Sequence, residues 1–208
     1  MRSTLTPEAS REPRVSRPSP IVAPDVQQSL LDLVRVALAV ATRTDDVSAL
    51  DRALRQECDD GEFGGVFVTL TSDDALRGCM GRLALTRGLR AAAAASALDA
   101  ALDDPRFLPL TAAELPTIDI AVSILGTPRP IDGPDAFEPG LDGVIIERDG
   151  RRGLLLPEVA TEFSWGAVQM FEAVCRKAGL PGDAWRDPRA RLQAFRTCRF
   201  GGRASGPQ

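Results

Sequence analysis

The apolar positions of this chain change period several times between Asp25 and Phe200, and each change marks a structural element. From Asp25 to about Thr42, Leu30, Leu33, Val34, Ala37, Leu38 and Ala41 recur at spacings of three and four, which predicts one buried helix face. A weaker helical pattern covers Val47 to Gln56. Gly64-Gly65 ends it, and the run Val66-Phe67-Val68-Thr69-Leu70 predicts a buried strand, turned by Ser72-Asp73-Asp74. Alanine-rich Leu89 to Leu102 predicts the strongest helix, stopped at Pro105, whose ring cannot continue it. Thr111 and Glu114 have the spacing of a capping box for one short turn.

Thr117 to Leu125 switches to period two, with Ile118, Ile120, Val122 and Ile124 on one face. Val144 to Glu147 and Gly153 to Leu156 flank Arg148-Asp149-Gly150-Arg151, where Asp-Gly signals a hairpin turn. Ser164 to Ala178 reads as a helix with Gly179 at the left-handed cap position, and Leu192 to Phe200 reads as one closing strand. Hairpin-length connections among interleaved strands and helices predict an α+β fold with an antiparallel or mixed sheet. Residues 1–24, rich in proline, serine and arginine, read as a disordered leader, and residues 201–208 as a disordered tail. A single domain over residues 25–200 remains.

Composition narrows the chemistry. The 208 residues include no histidine and no tyrosine, so Cys-His and Ser-His-Asp sites and histidine-ligated metals are excluded within this chain. Net charge is −4, which disfavours nucleic-acid binding through phosphate contacts, and the arginine clusters at 148, 151, 152 and at 186, 189, 191 read as solvated faces. Four cysteines, Cys58, Cys79, Cys175 and Cys198, form no Cys-x-x-Cys pair, so no metal or cofactor is expected. Cys175 falls on an apolar helix face and reads as core; Trp165 and Trp185 read as packing residues. No signal peptide or membrane-length apolar run is visible, and free thiols suit a reducing cytoplasm. Of 25 basic residues only Lys177 is a lysine, and arginine in place of lysine elsewhere is the mark of a GC-rich genome.

The hexapeptide Leu76-Arg77-Gly78-Cys79-Met80-Gly81 is not a typical packing sequence. Arg77 offers a planar fork for a carboxylate or phosphate. Gly78 and Gly81 permit close approach of a ligand or another chain segment. Cys79 is a candidate catalytic thiol, since a neighbouring cation favours thiolate, but no base stands next to it in sequence. The competing reading is a glycine-rich bulged strand whose cysteine is buried.

This hexapeptide resembles the Leu-Arg-Gly-Cys-Ile-Gly signature of the AMMECR family, also met as protein A of the AmmeMemoRadiSam system. The resemblance extends through Val66 to Leu70, Asp104-Pro105-Arg106-Phe107, Val122-Ser123-Ile124-Leu125, Arg152 to Val159, Cys175-Arg176-Lys177-Ala178-Gly179-Leu180 and Trp185, covering about residues 28–200. Met80 replaces the usual isoleucine, Ala75 a common glycine, and Asp142 a frequent histidine. The resemblance implies a larger and a smaller subdomain with a cleft bordered by the signature. It also implies partnership with a Memo-like protein and a radical S-adenosylmethionine enzyme. Lys177 has two readings: it caps the last carbonyls of its helix, or it faces a ligand.

Two functional classes follow. The first is an accessory protein whose cleft, near Arg77, Gly78, Gly81 and Lys177, binds a small anionic or peptide-like ligand or a partner protein. The second is an enzyme using Cys79 as nucleophile or redox thiol, with Glu114, Asp119, Glu158 or Glu162 as base. Nucleic-acid binding is a third, weaker option.

Overall fold

The computed structural model describes residues 19–20, 22–55, 63–83 and 85–205. Helix α1 (Pro24–Ala41) opens with proline in its first turn, where a missing N–H is harmless, and buries Leu30, Leu31, Leu33, Val34, Ala37 and Leu38. Helix α2 (Val47–Leu54) is capped by Asp46, whose carboxylate accepts the Ala49 N–H at 3.0 Å. Strands β1 (Gly65–Ser72) and β2 (Ala75–Leu83) form a hairpin. Its turn residues Asp73 and Asp74 sit at φ 49° and 62°, the left-handed pair that a tight two-residue turn needs. Helix α3 (Gly88–Leu102) packs across both strands. With β3 (Ile118–Leu125) and β8 (Thr197–Arg203) they build an antiparallel sheet in the order β2-β1-β3-β8.

The second unit lies between β3 and β8 in sequence. It holds β4 (Arg129–Pro130), β5 (Gly143–Arg148), β6 (Arg151–Leu155), α4 (Glu158–Glu162), α5 (Ala167–Lys177) and β7 (Arg191–Phe195). Its antiparallel sheet has the order β4-β7-β5-β6. Asp149 and Gly150, at φ 52° and 74°, make the predicted hairpin turn. Gly179 takes φ 70° after α5, and the Leu180 N–H reaches back to the Cys175 carbonyl at 2.9 Å, closing the predicted cap.

Each unit has its own core. One gathers α1, α3 and the helix-facing side of the first sheet; the other gathers Phe137, Val144, Ile146, Met170, Phe171 and Val174. A small third cluster, Leu125, Ile145, Leu154 and Phe195 with Phe67 packed on it, joins them. The α+β class read from the pattern is therefore present, as two open antiparallel sheets.

Three elements differ from their sequence reading. The stretch Leu192 to Phe200 is two strands in different sheets, divided at Arg196. Alternation cannot register this, because β7 and β8 each alternate correctly against their own core. Strand β8 continues through Gly201, Gly202 and Arg203, which pair with Ala121, Ile120 and Asp119; ladder hydrogen bonds order glycines that composition alone assigns to a tail. Helix α5 begins at Ala167, because Ser164 lies at φ 52° and Gly166 is the N-cap. Of the proposed leader, residues 1–18 and 21 lie outside the described residues, as do 206–208 and Cys58; Val22 is buried in the first core.

The chain crosses between the units twice, after Leu125 and at Arg196. The crossings touch: the Gly126 N–H donates to the Arg196 carbonyl at 2.8 Å. The Arg196 guanidinium reaches Asp142 (Nε to Oδ1, 3.0 Å) and Glu138 (Nη2 to Oε2, 2.6 Å). Arg129 also donates to Asp142, at 2.9 Å, and the carboxylate of Asp142 is fully buried. Asp142 thus holds two arginines at the junction of the units.

Candidate functional site

The hexapeptide occupies the middle of β2, an edge strand of the first sheet. Its pairing with β1 slips between Leu70 and Thr71, opposite Gly78 and Leu76, so Arg77 is the extra residue of a bulge. From Gly78 to Arg82, beyond the bulge, even-numbered positions face α3 and odd-numbered positions face the side where Phe67 packs on the cluster that joins the units. An added Cβ at Gly78 would stand 2.2 Å from the Ala100 carbonyl oxygen of α3. At Gly81 it would stand 2.2 Å from the Phe67 ring. Close approach was the expectation for both glycines, and parts of this same chain make it.

Arg77 is engaged rather than free. Its Nε donates to Glu114 Oε1 at 2.7 Å, its Nη2 to Oε2 at 3.3 Å, and its guanidinium lies 5.9 Å from the Phe107 ring centre. Glu114 also accepts the Thr111 N–H and hydroxyl at 2.9 and 2.8 Å, so its capping-box reach is present. The Arg77 hydrogen bonds first, then those from Thr111, hold the Glu114 pKa down at about 2 against the burial that opposes them.

Cys79 is half-buried on the face turned to the second unit, with Sγ 3.3 Å from Thr69 Oγ1. Its N–H points away from β1 and donates to Asp104 Oδ2 at 2.9 Å. Asp104 is a buried carboxylate gripped by Arg106 through Nε at 2.9 Å and Nη2 at 2.7 Å. That grip holds Asp104 far below the usual carboxylate range despite burial. The Asp104-Pro105-Arg106 segment therefore closes the open edge of β2 and sets a cation beside the thiol.

Lys177, at the end of α5 in the other unit, comes near enough to Cys79 for the two to interact electrostatically. Desolvation by surrounding protein lowers the Lys177 pKa, the nearby Cys79 sulfur opposes this, and Arg106 adds to the lowering. The side chain keeps solvent access, so this crowding is one-sided. No ion pair to Lys177 occurs among the described residues, whereas Arg77 and Arg106 each have a carboxylate. The lysine also stands in the last turn of α5, where a cation suits the helix dipole, so its two predicted roles are geometrically compatible.

Three of the four expected bases are held in ion pairs. Glu114 pairs with Arg77, Asp119 with Arg203 at 3.2 Å and Glu158 with Arg199 at 2.6 Å. The Arg199–Glu158 pair joins β8 of the first sheet to α4 of the second unit. Thr69, Asp104, Arg106 and Ser123 were not singled out as site residues by sequence reasoning. All four stood in blocks that carry the family resemblance, but nothing local to any of them reveals which distant groups they meet.

Other features carry less chemistry. Cys175 is buried in the second core, and desolvation raises its pKa. Arg148 and Arg189 pair with Asp149 and Asp187, Arg191 with Glu147, and Arg186 lies over the Trp185 ring at 4.3 Å. These arginines are interleaved with acids. A concavity of about 440 Å³ beside Trp185, lined by Ile131, Asp132 and Leu192 among others, contains no thiol and lies apart from the hexapeptide. Among the described residues no His, Cys, Asp and Glu group of metal-binding size occurs, and no helix is long and apolar enough to cross a membrane.

Two open antiparallel sheets with separate cores, joined by a small shared cluster, define an α+β protein. The chain belongs to the AMMECR1 family, whose sequence model matches residues 31–200. It is 44% identical over 137 residues to a protein of Methanothermobacter thermautotrophicus, covering 63% of this chain and 71% of that one. It is 35% identical over 181 residues to protein TV1384 of Thermoplasma volcanium, covering 82% and 90%. Among solved structures it resembles the uncharacterized protein PH0010 from Pyrococcus horikoshii, with a TM-score of 0.77, 30% identity, and 89% and 96% coverage.

Proposed function

We propose that this protein is a binding or accessory protein whose cleft captures a small ligand bearing a carboxylate or phosphate, next to the Cys79 thiol. The single observation behind this reading is Lys177: the one lysine of the chain approaches Cys79 from the opposite unit without a carboxylate partner among the described residues. A cation left unneutralised at the mouth of a half-buried site favours an anion there. In this reading Arg77, Gly78 and Gly81 shape the site, and Lys177 supplies its positive potential. A Memo-like protein and a radical S-adenosylmethionine enzyme are the proposed partners, in the cytoplasm.

The test is protection of Cys79 from iodoacetamide by inorganic phosphate, pyrophosphate and citrate, followed by peptide mass mapping. Saturable protection that weakens about tenfold in Lys177→Met supports the reading. Equal labelling with and without anions, in both proteins, would sink it. Pull-down with the two system partners tests the accessory role separately.

A second reading has one specific support, the Thr69 hydroxyl and two cations beside Cys79. It is a thiol acting by redox or nucleophilic chemistry. Acyl transfer is the less favoured form, because the N–H of Cys79 already serves Asp104 and is not free to stabilise an oxyanion.

A further inference from the structure

The strand register makes a feature that no single element contains. Thr69 pairs with Cys79 on one side and Ala121 on the other, and Ala121 pairs with Gly201. Cys79, Thr69, Ala121 and Gly201 therefore form one straight row across all four strands, on the face turned to the second unit. All four retain solvent access. The rows on either side are Gly81, Phe67, Ser123 and Arg199 on the inner side and Leu76, Thr71, Asp119 and Arg203 on the outer; over β3 and β8 both neighbours are larger than Ala121 and Gly201, while the inner row opens at Gly81 beside Cys79. Small side chains between two banks of larger ones make a trough. Strand spacing gives it a length of about 14 Å, and the two-residue repeat sets the banks about 14 Å apart before their side chains narrow it.

A second, independent observation lies on its inner bank. Ser123 is fully buried, and its Oγ has no hydrogen-bond partner in the protein. Alternation puts that hydroxyl on the trough face, diagonal to Thr69 across the β1–β3 pair. A buried hydroxyl without a partner is rare, and a polar ligand lying in the trough is the group that would satisfy it. Lys177 and Arg106 stand at the Cys79 end.

From this geometry we infer that the trough takes a slender, linear ligand ending in a carboxylate. The carboxylate sits by Lys177 and Cys79, and the chain runs across β1 and β3 toward Gly201, with a hydrogen-bonding group within reach of Ser123. The inference rests on the anion-binding reading and deepens it by fixing the ligand's shape. A linear carboxylic acid and the C-terminus of a short unbranched peptide share this chemistry.

The experiment measures protection of Cys79 from iodoacetamide by a series of linear dicarboxylates from malonate to sebacate, and by glycine peptides of two to four residues. Protection should strengthen about tenfold as the ligand lengthens toward the trough's span, then level off. Ala121→Leu, or the strand-compatible Ala121→Val should the leucine variant not fold, should abolish the dependence on length. Ser123→Ala should weaken protection by the ligands that reach it without lowering Tm, a separation that a merely structural serine would not give. Whichever arm protects better identifies the source. Protection by phosphate with no dependence on length overturns the trough and leaves the anion site standing. Dependence on length that persists in Lys177→Met, with no phosphate protection in the unaltered protein, overturns the anion site alone. No protection by any probe overturns both.

Discussion

The guanidinium of Arg77 and the carboxylate of Glu114 form a two-pronged pair, at 2.7 and 3.3 Å, that ties the β2 bulge to the turn before β3. The signature arginine is thus a bracket within its own subunit. Arg77→Ala is expected to lower stability by about 1 kcal/mol, since the pair is only partly shielded. Arg77→Lys should recover little of it, because an ammonium cannot reproduce the fork. Urea unfolding of both variants measures this; equal stability of the alanine variant and the parent would contradict it.

Acid should weaken this bracket. Glu114 has its pKa depressed on folding from 4.5 to about 2, so the folded state holds fewer protons than the unfolded chain in that window. Its contribution is complete above the unfolded value and is lost as pH falls from 4.5 toward 2. Asp104, depressed further by Arg106, acts in the same direction and persists to lower pH. Stability measured from pH 7 down to pH 2 should fall below pH 4.5, and Glu114→Gln should flatten the upper part of that fall.

Asp142 is the most demanding carboxylate in the fold. It is fully buried, and Arg129, Arg196 and the Glu138 N–H all donate to it. Asp142→Ala leaves two guanidinium groups without their shared acceptor and should cost about 3–5 kcal/mol. Asp142→His, the residue frequent in the family, should not restore stability in this chain. A thermal melt of the histidine variant matching the parent would refute this.

The two signature glycines should resist any side chain. Gly78→Ala drives a Cβ against the Ala100 carbonyl, a backbone atom that cannot swing away, and should cost about 3 kcal/mol. Gly81→Ala meets the Phe67 ring, which can rotate, so a smaller loss is expected. The ranking, read from chemical denaturation, is the checkable outcome.

Lys177 should show opposite effects on stability and reactivity. Its pKa is depressed from 10.5, so the charged form is disfavoured by folding and stability rises with pH between the folded value and 10.5. Lys177→Met should therefore raise Tm slightly at pH 7 while slowing iodoacetamide labelling of Cys79. Loss of Tm together with unchanged labelling would assign Lys177 to the helix cap alone.

The sequence by itself determined every feature whose cause is local. The φ-positive turns at Asp73-Asp74 and Asp149-Gly150, the Gly179 cap, the Glu114 reach to Thr111 and the helical and alternating faces all depend on neighbours within a few residues. The hexapeptide as the mark of the family was also legible. What the tertiary structure decided is which distant groups meet. Whether Arg77 stays a free fork depends on Glu114, 37 positions away. The split of Leu192–Phe200 between two sheets turns on Arg196 and a carboxylate 54 positions earlier. The trough row exists only in the pairing of four strands, and Lys177 reaches Cys79 only because the second unit folds back over the first sheet. Local patterns encode local geometry; long-range register and the burial of charge are settled by packing, which no window along the chain contains.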